Sequence, residues 1–65
     1  MIDDREIWAC ANVYLKQHGE HAWFVVSQRA DELLAHGEME GHRTFLRILN
    51  RIRLLEAMTP DGSIH

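Results

Sequence analysis

The clearest hydrophobic pattern in the chain lies between residues 45 and 55. Apolar residues recur there at the i, i+3, i+4 and i+7 spacing that places side chains on one face of an α-helix. They are Phe45, Ile48, Leu49, Ile52 and Leu55. This spacing predicts a helix over about residues 41–58 whose apolar face is the centre of the core. Pro60 and the following Asp-Gly pair predict that the helix ends there and that residues 59–65 form a disordered tail.

A first helix is predicted near the start of the chain, over about residues 4–18. Asp3 followed three positions later by Glu6 has the form of a capping box, in which side chains satisfy the free backbone N–H groups of the first turn. Gly19 comes directly after this segment, and glycine just past a helix is a common stop signal.

A second helix is predicted over about residues 21–36, where Gly37 repeats the stop signal. Because the connections are short, helices one and two are expected to be antiparallel neighbours. The predicted fold is all-α: a compact three-helix bundle with short glycine-containing turns, in a single domain over residues 1–65. Its predicted core is Ile7, Trp8, Ala11, Tyr14, Leu15, Val26, Ala30, Leu33, Phe45, Ile48, Leu49, Ile52 and Leu55. Trp23 and Leu34 also fall on the predicted inner face of helix two.

Several short motifs run through these predicted helices. They are Glu6-Ile7-Trp8-Ala9-Cys10-Ala11, His18-Gly19, Ala22, Arg29, Leu33, Gly37, Gly41, and Arg51 with Leu55. The set resembles a family of short, uncharacterised all-helical proteins from alphaproteobacteria, and the resemblance spans about residues 4–55. Glu38 and Phe45 depart from the family pattern, which has Asp and Trp at these positions. The resemblance implies an all-helical bacterial protein; the family has no established activity, so it implies no catalytic or binding residues.

Length and charge narrow the range of possible functions. The chain has 65 residues and a net charge of −3, and a core this small often needs support from a metal or from self-association. Its single cysteine, Cys10, excludes a disulfide within the chain. No apolar run approaches the roughly 20 residues of a membrane span, and the acidic start lacks the apolar core of a signal peptide. We therefore expect a cytoplasmic protein that does not associate with membranes.

Catalytic chemistry is not indicated by the sequence. Cys10 and His18 would lie about 12 Å apart along one helix, which is too far for a histidine to activate a thiol directly. Glycine-rich motifs that bind phosphates or dinucleotides are absent. We therefore predict that the protein is not an enzyme and has no cofactor.

Four histidines flank the two predicted turns: His18 and His21 at the first, His36 and His42 at the second. The intervening helix separates the turns by roughly 22 Å, so the four imidazoles cannot share one ion within a chain, as a zinc site would require. Interaction with the last carbonyls of a helix is the expected role. Metal binding between two chains is left open.

Arg43, Arg47 and Arg51 recur every fourth residue along the third predicted helix. Like charges at this spacing repel by a few tenths of a kcal/mol per pair, so an acidic neighbour would be favourable. The candidates are a second chain, an acidic protein partner and nucleic acid; a solvated charged face is the simplest alternative. Glu38 and Glu40 at the start of this helix would repel DNA phosphates, and the net charge also disfavours nucleic acid.

Some apolar residues fall outside the predicted core, namely Val13, Phe24, Leu46 and Leu54. An exposed apolar patch marks an interface, so we expect self-association as a two-fold homodimer. The leading hypothesis is a small non-catalytic protein–protein interaction module that self-associates. The alternative is a nucleic-acid-binding regulator that uses the arginines of helix three. The candidate partner-binding residues are Phe24, Arg43, Leu46, Arg47, Arg51 and Leu54.

Overall fold

A computed structural model describes residues 3–58, and this part of the chain is all helical, with no strand. The elements are α1 (Asp4–His18), a 3-10 turn (Gly19–His21), α2 (Ala22–Ala35) and α3 (Met39–Ala57). The radius of gyration is 12.1 Å, about half of the roughly 24 Å expected for an unfolded chain of this length, so the fold is compact. The tail predicted for residues 59–65 lies outside the described residues.

Helix α1 has the predicted bounds, and its two ends show why. The Asp3 carboxylate accepts a hydrogen bond from the backbone N–H of Glu6 at 3.0 Å, which caps the first turn. At the other end the Gly19 N–H donates to the carbonyl of Leu15. Gly19 has φ 56° and ψ −129°, a conformation that a side chain disfavours. The glycine stop predicted from the sequence is confirmed.

The end of α2 is a Schellman motif centred on Gly37. The Glu38 N–H donates to the carbonyl of Leu33 at 2.8 Å, and the Gly37 N–H donates to the carbonyl of Leu34 at 3.0 Å. Gly37 has φ 78°, which is the left-handed conformation that this motif requires. The helix is slightly shorter than predicted, because His21 belongs to the 3-10 turn and His36 is the C-cap.

Helix α3 begins at Met39, two residues before the start predicted near residue 41. The sequence left open whether residues 38–41 form a turn or the first helical turn, and Gly41 lies inside the helix. A Cβ atom on Gly41 would stand 3.3 Å from Cδ1 of Leu33. The absence of a side chain at Gly41 therefore allows α3 to pack closely against the end of α2. The chain reversal itself is made by the Schellman motif at Gly37.

The core draws on all three α-helices. The fully or nearly fully buried residues are Ile7, Ala11, Ala22, Val26, Ala30, Ile48 and Ile52, and Cys10, Tyr14, Leu15, Phe45, Leu49 and Leu55 pack partly buried around them. Every residue predicted for the core is buried or half-buried. Two further predictions for the inner face of α2 were wrong, because Trp23 and Leu34 are 44% and 45% exposed. Small residues make the contact along α2, so its buried stripe is narrow and the larger side chains lie at its edge.

Helix α3 packs against both other helices. With α2 it forms an antiparallel hairpin whose contacts are the most extensive in the fold. The short connection predicted that α1 would pair with α2, yet α1 contacts α3 more extensively than α2. The Tyr14 ring lies edge-on to Phe45, with ring centroids 6.3 Å apart. Helix α1 therefore covers one side of the hairpin.

Candidate interaction surfaces

Two arginines of α3, Arg47 and Arg51, contact an acidic residue of the same chain. Asp4, in the first turn of α1, accepts a hydrogen bond from the Arg51 guanidinium at 2.7 Å, and Arg47 lies 3.6 Å from the same carboxylate oxygen. The other oxygen accepts from the Trp8 indole N–H at 3.2 Å. The Arg51 guanidinium also stands 5.1 Å from the centroid of the Trp8 ring, within cation–π range. We call these four residues the Asp4 cluster.

The electrostatics of the Asp4 cluster favour the ionised carboxylate. The hydrogen bond from Arg51 is the largest cause of a lowered pKa for Asp4, and the positive charges of Arg51 and Arg47 act in the same direction. Partial desolvation opposes the shift without reversing it. The Asp4 side chain is still 57% exposed, so solvent screens these interactions. The cluster joins α1 to α3 and neutralises part of the arginine row.

Two arginines of α3 form no ion pair in the described part of the chain. Arg43 and Arg53 are both exposed, and no ion pair is found for either among residues 3–58. Arg51, in contrast to these two exposed arginines, is partly buried, and its Nε atom is buried with no hydrogen-bond acceptor among the described residues. Of the three arginines predicted to bind a partner, Arg43 is thus the one without an ion pair in the described part of the chain.

The histidines at the second turn bond to carbonyl groups of α2. Nδ1 of His36 lies 2.8 Å from the carbonyl oxygen of Glu32, which is the capping role predicted for it. Nδ1 of His42 lies 2.8 Å from the carbonyl oxygen of Ala30, and so fastens α3 to α2. Because a carbonyl only accepts, Nδ1 carries the proton in both residues. Within the described range no group of three or more His, Cys, Asp or Glu side chains is placed to hold a metal ion.

The exposed apolar residues divide between two surfaces. A groove between α1 and α2 is lined by Tyr14 and Val25, so α1 covers the Val25 side of α2. At about 100° per residue, Leu34 lies about 180° from Val25, on the side away from α1. By the same measure Leu46 lies about 140° from Arg51, which marks the side of α3 that faces α1.

We call the exposed side of the α2–α3 hairpin that α1 leaves uncovered the hairpin face. Its large apolar side chains are Trp23 and Leu34 on α2 and Met39 and Leu46 on α3, each between 43% and 47% exposed. Phe24 is 57% exposed but lies about 80° from Leu34 and 100° from Val25, on the outer side of α2 and apart from this face. Leu46 was predicted to bind a partner, as was Phe24. Trp23, Leu34 and Met39 were not, because the sequence does not show which flank of the hairpin α1 occupies.

Leu54 belongs to a different surface. It is exposed, but its position on α3 is only about 20° from that of Arg43 or Arg47. The predicted partner-binding residues are therefore not one patch: Leu54 lies within the arginine row, and Leu46 lies on the hairpin face.

Helix α1 carries a separate shallow groove of about 320 Å³, lined by Ala9, Cys10, Val13, Tyr14 and Gln17. It is open along the outer side of one helix. Cys10 there is partly exposed, and no charged side chain lines the groove.

Comparison with known proteins finds no matching family, no matching curated protein and no matching solved structure. The resemblance to the alphaproteobacterial helical family therefore stays a prediction. Among residues 3–58, no helix combines the length and the apolar character that crossing a membrane requires.

Proposed function

We propose that the chain is a compact three-helix bundle of the cytoplasm that works as a non-catalytic protein–protein interaction module and self-associates through the hairpin face. The observation that supports this proposal is the hairpin face itself, where four large apolar side chains, Trp23, Leu34, Met39 and Leu46, are exposed. A chain of 65 residues gains little stability from its own core, so covering this face with protein is favourable.

The expected strength of association follows from burial. Full burial of one large apolar side chain contributes about 1.5–3 kcal/mol, and these four side chains are roughly half exposed. Two copies would therefore gain on the order of 5–11 kcal/mol before the association entropy, which is estimated at about 4–15 kcal/mol, is subtracted. The net gain is at most about 7 kcal/mol, so the dimer should have a dissociation constant no tighter than about 10 micromolar.

Light scattering over a concentration series tests the proposal. The molar mass of the wild type should rise toward twice the chain mass of 7.6 kDa as concentration increases. Leu46→Ser, on the hairpin face, should remain a monomer. Val13→Ser is the matched control, because Val13 is 50% exposed on α1, outside that face. A wild type that stays monomeric at millimolar concentration would overturn the proposal, and dissociation caused by Val13→Ser alone would move the interface to α1.

Nucleic-acid binding by the arginine row is the second candidate, and the Asp4 cluster weakens it. Asp4 already compensates part of the charge of Arg47 and Arg51, so phosphates would compete with an acid inside the same chain. An acidic protein partner would meet the same competition, with Arg43 as its free contact. Titration with labelled DNA and RNA at low salt should show no binding; binding that weakens steeply with added salt would favour this candidate instead.

A further inference from the structure

We propose that the second copy packs on the hairpin face with its α3 opposite α2, so that Asp31 of each copy lies beside Arg43 of the other. This inference rests on the proposed self-association and adds the arrangement of the two chains. Four helices would then form the interface, two from each copy, and every neighbouring pair of helices would be antiparallel.

Two two-fold arrangements can bring the hairpin faces together. If the two-fold axis runs parallel to the helices, α2 lies against α3 of the second copy. If it runs across them, α2 lies against α2 and α3 against α3. Both arrangements bury the same apolar side chains and keep neighbouring helices antiparallel, so apolar burial does not choose between them.

The charges beside the hairpin face distinguish the two arrangements. Asp31 is exposed on α2, about 60° from Leu34, and Arg43 is exposed on α3, about 60° from Leu46. With the parallel axis, the edge of α2 that carries Asp31 lies beside the edge of the second copy's α3 that carries Arg43, on both sides of the interface. With the transverse axis, the Asp31 edges of the two copies lie side by side and so do the two Arg43 edges, and both pairs of like charges are unfavourable.

The register of the hairpin brings these two residues to the same level. Leu33 packs against Gly41, and each residue back along α2 is matched by one residue forward along antiparallel α3. Asp31 and Arg43 therefore lie level with each other in one copy. An axis parallel to the helices preserves level, so Asp31 also lies level with Arg43 of the second copy. Neither residue forms an ion pair among the described residues, although Glu40 lies three positions before Arg43 along α3.

Charge reversal tests this arrangement by sedimentation or light scattering at low salt. Asp31→Arg and Arg43→Glu should each raise the dimer dissociation constant about tenfold, because the pair occurs twice across the axis and each attraction becomes a repulsion. The double variant Asp31→Arg/Arg43→Glu should return to within about threefold of the wild type. Lys16→Glu, an exposed reversal on α1, is the control and should leave the constant unchanged. Single variants that dimerise like the wild type would overturn the arrangement.

Cysteine cross-linking gives a second readout that does not depend on charge. In a Cys10→Ser background, one chain carries Asp31→Cys and a second chain carries Arg43→Cys. Mixing them under mild oxidation should give a cross-linked heterodimer faster than either chain cross-links with itself. Faster self-cross-linking of the Asp31→Cys chain would place α2 against α2 and overturn the arrangement while leaving self-association intact. A wild type that never dimerises would instead overturn the proposed function.

Discussion

Replacing Ile52 with alanine tests whether the buried face of α3 is the centre of the core. Ile52 is 0% exposed and packs with core residues from the other two α-helices. The substitution removes three carbon atoms, and at about 0.8 kcal/mol each the lost transfer free energy is about 2.4 kcal/mol. The cavity left behind raises the expected loss to between about 2.4 and 5 kcal/mol. Since a domain of this size has a stability of roughly 3–10 kcal/mol, the variant should lose at least about a quarter of its stability and, at the lower end of that range, unfold.

Urea denaturation followed by circular dichroism measures this loss, with every variant at the same protein concentration because dimerisation adds to stability. Ile52→Val removes one carbon and should lower the free energy of unfolding by about 0.5–1.5 kcal/mol, which keeps the midpoint measurable. Leu54→Ala is the control on the same helix; Leu54 is 43% exposed, so its loss should be well below that of Ile52→Ala. If Ile52→Ala melts with the wild type, or if Leu54→Ala loses as much, the assignment of the inner face of α3 is wrong.

Three further substitutions test the contacts and the turn that connect the helices. Asp4→Asn should lower the urea midpoint at pH 7. Its difference from the wild type should shrink as the pH falls below 3.8, the ordinary pKa of an Asp side chain, because the pKa of Asp4 is lowered by folding and the stabilisation is lost when the carboxylate is protonated. An equal difference at about pH 2.5 would contradict a role for the charge. Gly37→Ala should lower the free energy of unfolding by about 1 kcal/mol, since its φ of 78° disfavours a side chain; an unchanged midpoint would refute the strain argument. Gly41→Ala should raise it by up to about 1 kcal/mol through helix propensity, because only the flexible end of Leu33 must move; a clear loss in the same urea assay would show that this contact cannot relax.

The helical pattern could be predicted from the sequence because it depends on local rules. The glycine after each of the first two helices located the chain reversals to within a residue or two, and the cap at Asp3 located the start of α1. The sequence left the start of α3 open over residues 38–41, because a glycine that allows close packing looks the same in sequence as a glycine that ends a helix. Only the packing partner of Gly41, the Leu33 side chain, distinguishes them.

The surfaces could be predicted less well, because they depend on which flank of the hairpin α1 occupies. Trp23 fits the apolar pattern of α2 and was placed inside, yet it lies on the side that α1 leaves open. The arginine row was interpreted as favouring an acid from outside the chain, with a solvated charged face as the simplest alternative. Asp4 supplies that acid across 47 positions of sequence, and no local spacing reveals such a pair. Its only local sign is that Trp8 lies one helical turn after Asp4, at hydrogen-bonding distance.

The same reasoning explains why the arginine row does not require a nucleic acid. Arg47 and Arg51 share the carboxylate of Asp4, which leaves Arg43 as the arginine of the row without an ion pair. In the proposed dimer Arg43 lies level with Asp31 of the second copy, so every arginine of the row has an acid from one copy or the other. A nucleic acid that bound Arg47 and Arg51 would compete with Asp4, and breaking the Asp4 contacts would loosen the attachment of α1 to α3. Self-association through the hairpin face leaves those contacts intact.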